Sequence, residues 1–221
     1  MINNIICQSL FALEDFLLSS IFDHITYPWE VLSVLKPIIE KAVEGGINGY
    51  RLLSDGVLIG ENVSIANSAR IEGPAIISDG CEIRHGAYIR GSVILGKGCV
   101  IGNSTEIKNS ILMDGAQAPH FNYVGDSILG KGAHLGAGAI CSNLRSDKNP
   151  VVIKGENFSL DTGLRKLGAI LGDGVEVGCG AVLCPGTVIG KNATVYPLTM
   201  TRGVYSENCI IKQNDVINKN T

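Results

Sequence analysis

Aromatic residues fill only 5% of the 221 positions, too few for a wide, ring-filled core. Charge is scarce as well. The 18 Lys and Arg against 21 Asp and Glu leave a net charge of −3, which argues against a general nucleic-acid binder, because such proteins carry a basic footprint. No uninterrupted apolar run reaches about 18 residues, so no membrane span is expected. The N-terminus lacks the charged start and small-residue cleavage site of a secretory signal. The seven cysteines are odd in number and show no paired spacing, which fits reduced thiols in a cytoplasmic protein.

What the chain has is glycine, at 28 residues, and a period of six. Apolar residues stand at Ile59, Ile65, Ile71, Ile77, Ile83, Ile89, Leu95, Ile101, Ile107 and Met113. Two places before each next member sits a mostly small residue: Val63, Ala69, Ala75, Cys81, Ala87, Val93, Cys99, Thr105, Ile111 and Gln117. A hexapeptide period marks a parallel β-helix, each repeat being a short strand and a turn. Three repeats make a triangular coil, so residues 18 apart stack at about 4.8 Å, the aliphatic filling the interior and the small residue the corner. The expected class is therefore all-β, a left-handed parallel β-helix, the hand of strict six-residue forms and an exception to the right-handed crossover rule. Cys81 and Cys99 should stack in one corner column as small buried residues.

Three segments depart from this pattern. Residues 1–46 carry helical spacing at Leu10, Leu13, Phe16, Leu17, Ile21 and Phe22. A second helix is expected to open at Pro28, kink at Pro37 and stop at Gly45-Gly46. Together they form a helical cap over the first, open-edged coil of a solenoid spanning 47–204. After Ala118 the string PHFNYVGDS breaks the frame, and apolar positions resume at Leu129, Leu135 and Cys141, two residues behind the earlier phase. From Ser142 to Leu167 the hexads vanish in a polar, basic insertion too long for an ordinary connection. They return at Leu171, Val177, Leu183, Ile189 and Val195; Leu129 to Leu171 is 42 residues, seven hexads, so the insertion should leave the later register intact. Residues 205–221 read as a tail that leaves the helix.

Two groupings carry chemistry. Arg90 and Lys108 share a template position 18 residues apart, so two cations stack on one face. That arrangement suits an anion between them, a phosphate for instance, or else a solvated face balanced by Glu72 and Glu106. His120 and Tyr123 sit at the frame break beside Asn122 and Asp126, and a histidine is the usual general base near neutral pH. A metal shared between subunits by His85, His120 and His134 is the competing idea; the close histidine pair of the hexapeptide-repeat carbonic anhydrases is missing, so no metal site is expected.

The string HFNYVGDSILGKGAHLGAGAICSNLRSDK resembles the acetyltransferase half of the bifunctional glucosamine-1-phosphate acetyltransferase/N-acetylglucosamine-1-phosphate uridyltransferase. It is more similar still to the C-terminal domains of archaeal sugar-1-phosphate nucleotidylyltransferases, as are GLRKLGAILGDGVEVGCGAVLCPGTVIG and the PWEVL segment. The resemblance covers roughly residues 27–204. The uridyltransferase half is missing, and residues 1–50 hold no glycine-rich phosphate loop.

The resemblance implies a cytoplasmic homotrimer with sites between solenoids, acetyl-CoA as cosubstrate, and a hexosamine 1-phosphate as acceptor. It makes His120 the base that takes a proton from the amino group, and Arg90 and Lys108 the phosphate clamp. Tyr123, Asn143 and His134 would touch the substrate, His134 standing where the bacterial enzyme has asparagine. Ala137, Cys179, Lys148 and Lys166 would serve acetyl-CoA, Cys179 replacing a serine and Lys148 reaching a neighbouring subunit's site. A backbone N–H within Gly136–Ala139 would receive the oxyanion. Two other readings stand beside it: a non-catalytic partner of a separate nucleotidyltransferase that docks through the helical N-terminus, and an acyltransferase for a nucleotide-linked amino sugar.

Overall fold

A computed structural model describes residues 2–213 and 215–219. The hexads wind into a left-handed parallel β-helix whose coils visit three faces in turn. Face one begins at Val57–Ile59, face two at Ser64–Ile65 and face three at Arg70–Ile71, and they grow into sheets of nine, nine and seven strands. Residues 18 apart pair in register through the first coils, as Ile59 with Ile77 and Ile83 with Ile101. The interior holds one aliphatic column, with Cys81 and Cys99 buried in it as free thiols.

The frame changes in two steps. Leu95 pairs with Leu112 and Leu112 with Leu129, each 17 residues on. Ile107 pairs with Val124 and Val124 with Cys141 at the same spacing. One residue is therefore lost between Ile107 and Leu112, and a second between Val124 and Leu129. Both losses fall at the corner joining face three to face one. The interior residue is thus Leu112, whereas Met113 and Ile111 pack outside, and Ala116 rather than exposed Gln117 takes the corner. The PHFNYV string itself keeps the six-residue step from Ala118 to Val124, so His120 stands in regular coil.

The insertion leaves from that same corner. Leu129 pairs with Leu171 and Cys141 with Leu183, so the later register is undisturbed. Its hairpin, Val152–Lys154 with Ser159–Asp161, lies on the outside of the solenoid.

The N-terminal segment does not cap the first coil. It lies along the outside of face one, where Trp29, Leu32, Leu35 and Ile39 pack with Leu58, Ile76, Ile94, Ile111, Ile128, Ile170 and Val188. Little of it is α-helix: Cys7–Leu10 is a single α-helical turn, Pro28–Ser33 is a 3₁₀ turn, and the longer α-helix is Leu35–Gly45. Pro37 falls in the first turn of that helix, where its missing N–H costs no bond, so no kink is required. Asp173 fastens the segment down, accepting the Ala12 N–H at 2.7 Å while its own N–H donates to the Leu10 carbonyl.

Antiparallel strands close both ends instead. Arg51–Ser54 covers Val57–Ile59, and Asp215–Asn218 covers Cys209–Lys212. The coils continue past 204, because Thr194–Val195 pairs in parallel with Ile210–Ile211. The tail expected to leave the helix therefore belongs to it as far as Asn218, while 214, 220 and 221 lie outside the described residues. No helix among the described residues is long and apolar enough to cross a membrane.

Candidate active site

The predicted residues gather around face three, at its two edges. His120 lies at the edge shared with face two, exposed at the end of strand Gln117–His120. Two features lock its corner. At Gly102 a β-carbon would collide with the Pro119 carbonyl, so only glycine lets this corner lie so close to the coil beneath. Asn122, buried, accepts the His120 N–H at 3.1 Å and donates to the Gly136 and Ala139 carbonyls at 2.9 and 3.2 Å. That side chain ties the histidine to the next corner, Gly136–Ala139. There the N–H groups of Gly136, Gly138 and Ala139 are spent on Val177, His120 and Gly136 carbonyls. The Ala137 N–H has no such partner among the described residues.

One coil further on, the same corner carries Cys179, exposed beside Ala137. A β-carbon at Gly136 would sit 2.7 Å from the Cys179 nitrogen, so the two corners are in close contact. His134 is not in this group. It projects from the middle of face two and meets Glu176 at 3.0 Å.

The opposite edge, shared with face one, is the corner of both lost residues and the insertion. Asp126, 5% exposed, is its centre. Its carboxylate receives Asn109 Nδ2 at 2.9 Å, Lys108 Nζ at 3.4 Å and a short hydrogen bond from Asn143 Nδ2. Asn143 also donates to the Tyr123 hydroxyl at 3.2 Å, and burial pushes that hydroxyl's pKa up, keeping it a neutral donor. A β-carbon at Gly125 would sit 2.6 Å from both Asn143 Nδ2 and Tyr123 Oη, which is why the Tyr-x-Gly-Asp string needs its glycine. The coil shortened at this corner thus puts Lys108, Asn109 and Asn143 on one carboxylate, with Tyr123 joined to it through Asn143.

Arg90 is placed differently from the expected clamp. Its guanidinium meets Glu106 at 2.6 Å and lies over the Tyr88 ring at 5.9 Å. Glu72, held down by Arg70, accepts the Tyr88 hydroxyl at 3.1 Å. Each cation on this face therefore has a carboxylate, which relieves the like-charge stacking of Arg90 and Lys108 without an intervening anion. Lys148 and Lys166 are exposed on the insertion, Lys148 in the turn begun by Arg145 and Lys166 opposite Leu144. No group of three His, Cys, Asp or Glu among the described residues could hold a metal ion.

Sequence reasoning missed Asp126 as the hub and Asn122 as a fastener, whereas Glu106, named as a balancing charge, is the partner of Arg90. The 17-residue step was the available signal, because it marks the shortened corner that turns Asp126 inward.

Residues 71–178 match the family model described as the GMPPB C-terminal domain. The chain is 37% identical over 205 residues to the bifunctional protein GlmU of Methanococcus maripaludis, covering 90% of this chain and 49% of that protein. It is 38% identical over 86 residues to a bifunctional sugar-1-phosphate nucleotidylyltransferase/acetyltransferase of Sulfurisphaera tokodaii, covering 39% and 21%. Among solved structures, the Bacillus cereus N-acyltransferase AntD is similar at 17% identity and a TM-score of 0.44, covering 77% of this chain and 89% of that one. The chain spans about half the length of the GlmU protein it matches over most of its own length.

Proposed function

We propose that this chain moves acetyl from acetyl-CoA to the amino group of a hexosamine 1-phosphate. The observation that carries the reading is the content of face three: a histidine at one edge, and at the other a Lys108–Tyr123–Asn143 cluster locked on Asp126. The 37% identity to GlmU spans the strings that build both edges.

In this reading the sugar lies across face three. Tyr123 and Asn143 hold its hydroxyls, while Lys108 and Arg90 trade part of their carboxylate contacts for the phosphate. His120 takes the amine proton as the nitrogen attacks the thioester carbon, and the sulfur leaves as thiolate, so no covalent enzyme intermediate is needed. The Ala137 N–H, which has no backbone acceptor among the described residues, is the donor best placed for the oxyanion. Ala137 and Cys179 flank the thioester, and Lys148 and Lys166 on the insertion reach coenzyme A from a neighbouring copy. The homotrimer is supported by bare apolar side chains on the late coils. Leu198 is 83% and Met200 63% exposed, as suits surface covered by a second cytoplasmic copy.

The test is thiol release from acetyl-CoA with glucosamine 1-phosphate, galactosamine 1-phosphate, glucosamine 6-phosphate and a nucleotide-linked amino sugar. Turnover is expected with a 1-phosphate, and His120→Ala should lose on the order of 10²–10⁴ in rate. Near wild-type turnover by that variant would sink the role of His120. Silence of the folded protein across the panel would favour the partner-subunit reading. The N-terminal segment is a poor docking surface for that role, because its large apolar residues are already spent on face one.

A further inference from the structure

A cavity of about 570 Å³ opens where the insertion meets the corner between faces three and one. It lies on the same edge as Asn143, one to two coils further along, at about 4.8 Å per coil. The insertion is seated there at fixed points. A β-carbon at Gly186 would meet Val151 Cγ1 at 2.7 Å, and one at Gly203 would meet the Lys154 carbonyl at 2.7 Å; both glycines have positive φ. The Gly186 N–H also donates to the Leu167 and Gly168 carbonyls. The cavity walls are therefore set by packing rather than by a loose loop.

Its chemistry is divided. Leu144, Val152 and Pro185 are apolar. Arg202 and Lys154 are cationic and have no carboxylate partner among the described residues. Arg145 also lines it, but Asp147 neutralises that guanidinium with two contacts, at 2.9 and 2.6 Å. The cavity keeps a surplus of two positive charges, beside the Ser142 and Ser146 side chains. This contrasts with Arg90 and Lys108, whose charges are balanced in place.

We propose that this cavity binds a phosphorylated nucleoside, with the phosphate on Arg202 and Lys154 and the base against Leu144, Val152 and Pro185. The volume suits one small ligand, an arginine fork suits a phosphate, and the apolar side chains suit a flat ring. The chemistry is shared by a free nucleotide and by the nucleotide end of acetyl-CoA. The proposal itself does not depend on the acetyl-transfer reading.

The experiment is isothermal titration of the whole chain with AMP, inorganic phosphate and acetyl-CoA. AMP is expected to saturate below about 1 mM, a threshold chosen to exclude chance contact, and to bind tighter than phosphate. Arg202→Ala should weaken AMP at least about tenfold, the loss of one charge-assisted pair. Ser146→Trp should abolish binding by filling the cavity, and His120→Ala should leave it intact. Unchanged thermal melting of each variant separates loss of a site from loss of the fold. Displacement of AMP by acetyl-CoA, with a raised KM for acetyl-CoA in Arg202→Ala, identifies the cosubstrate as the source. AMP binding that acetyl-CoA does not displace identifies a free nucleotide. No saturation by either, equal affinity in Arg202→Ala, or phosphate binding as tightly as AMP overturns the proposal.

Discussion

Face one and face three share an interior and differ outside. Inward, both present the same aliphatic column. Outward, face one presents Leu58, Ile76, Ile94, Ile111, Ile128, Ile170 and Val188, all buried beneath the N-terminal segment and the insertion hairpin. Face three presents Arg70, Tyr88, Glu106 and Tyr123 on early coils, then Ile140, Val182 and Met200 on later ones. The hexad decides the coil, and the residue just before each hexad's aliphatic decides what covers it. A face covered by its own chain can carry only apolar outward residues, and a face kept open can carry chemistry.

The largest effects should come from breaking the covered face. Ile94→Ala removes a fully buried side chain between the solenoid and its cover, and should cost about 2–5 kcal/mol by urea titration. Val182→Ala, 38% exposed on face three, should cost no more than about 0.5 kcal/mol in a dilute monomer. Comparable losses would mean that face three is also covered in solution. Next comes Asp126→Ala, which strands Lys108 and Asn143 without their acceptor and should cost about 1–3 kcal/mol. Its sharper readout is kinetic: KM for the sugar phosphate should rise while acetyl-CoA binding holds. Smaller still is Glu106→Gln. Arg90 and Glu106 are both partly exposed, so stability should shift by less than about 1 kcal/mol while freed Arg90 lowers KM for a 1-phosphate. An unchanged KM would remove Arg90 from the phosphate site.

Much of this arrangement was legible as period. The columns from Ile59 to Ile107 hold in the structure because corner and interior sterics impose one residue class every sixth place. The template failed at Met113, since a shortened corner advances the frame and Leu112 satisfies the pattern almost as well. The apolar pairs Leu58-Ile59, Ile76-Ile77, Ile94-Leu95, Ile128-Leu129 and Ile170-Leu171 were the readable sign of a covered face. Helical spacing from Leu10 to Phe22 misled, because a segment lying on a flat sheet buries residues wherever its turns touch, and Phe11, Phe16 and Phe22 gather with only a 3₁₀ turn, Ser19–Phe22, between them. At the site, spacing placed Lys108 beside Arg90 with Glu106 near them, but did not show that Asp126, arriving from the next coil, takes Lys108.

The mildest probe is thiol access, which should leave stability alone and still separate the open edge from the interior. Burial pushes Cys141 up to about 12 and Cys7 to about 11, so neither forms appreciable thiolate near neutral pH. Cys179 is the exposed cysteine, and the other six are buried. A disulfide reagent at pH 8 should therefore show one fast equivalent, lost in Cys179→Ser, with the remainder appearing only on unfolding. If Cys179 flanks the thioester, acetyl-CoA slows that fast phase and the sugar phosphate does not. A fast phase indifferent to acetyl-CoA would move the cosubstrate off the edge that His120 shares with Ala137, and with it the proposed path of the acetyl group.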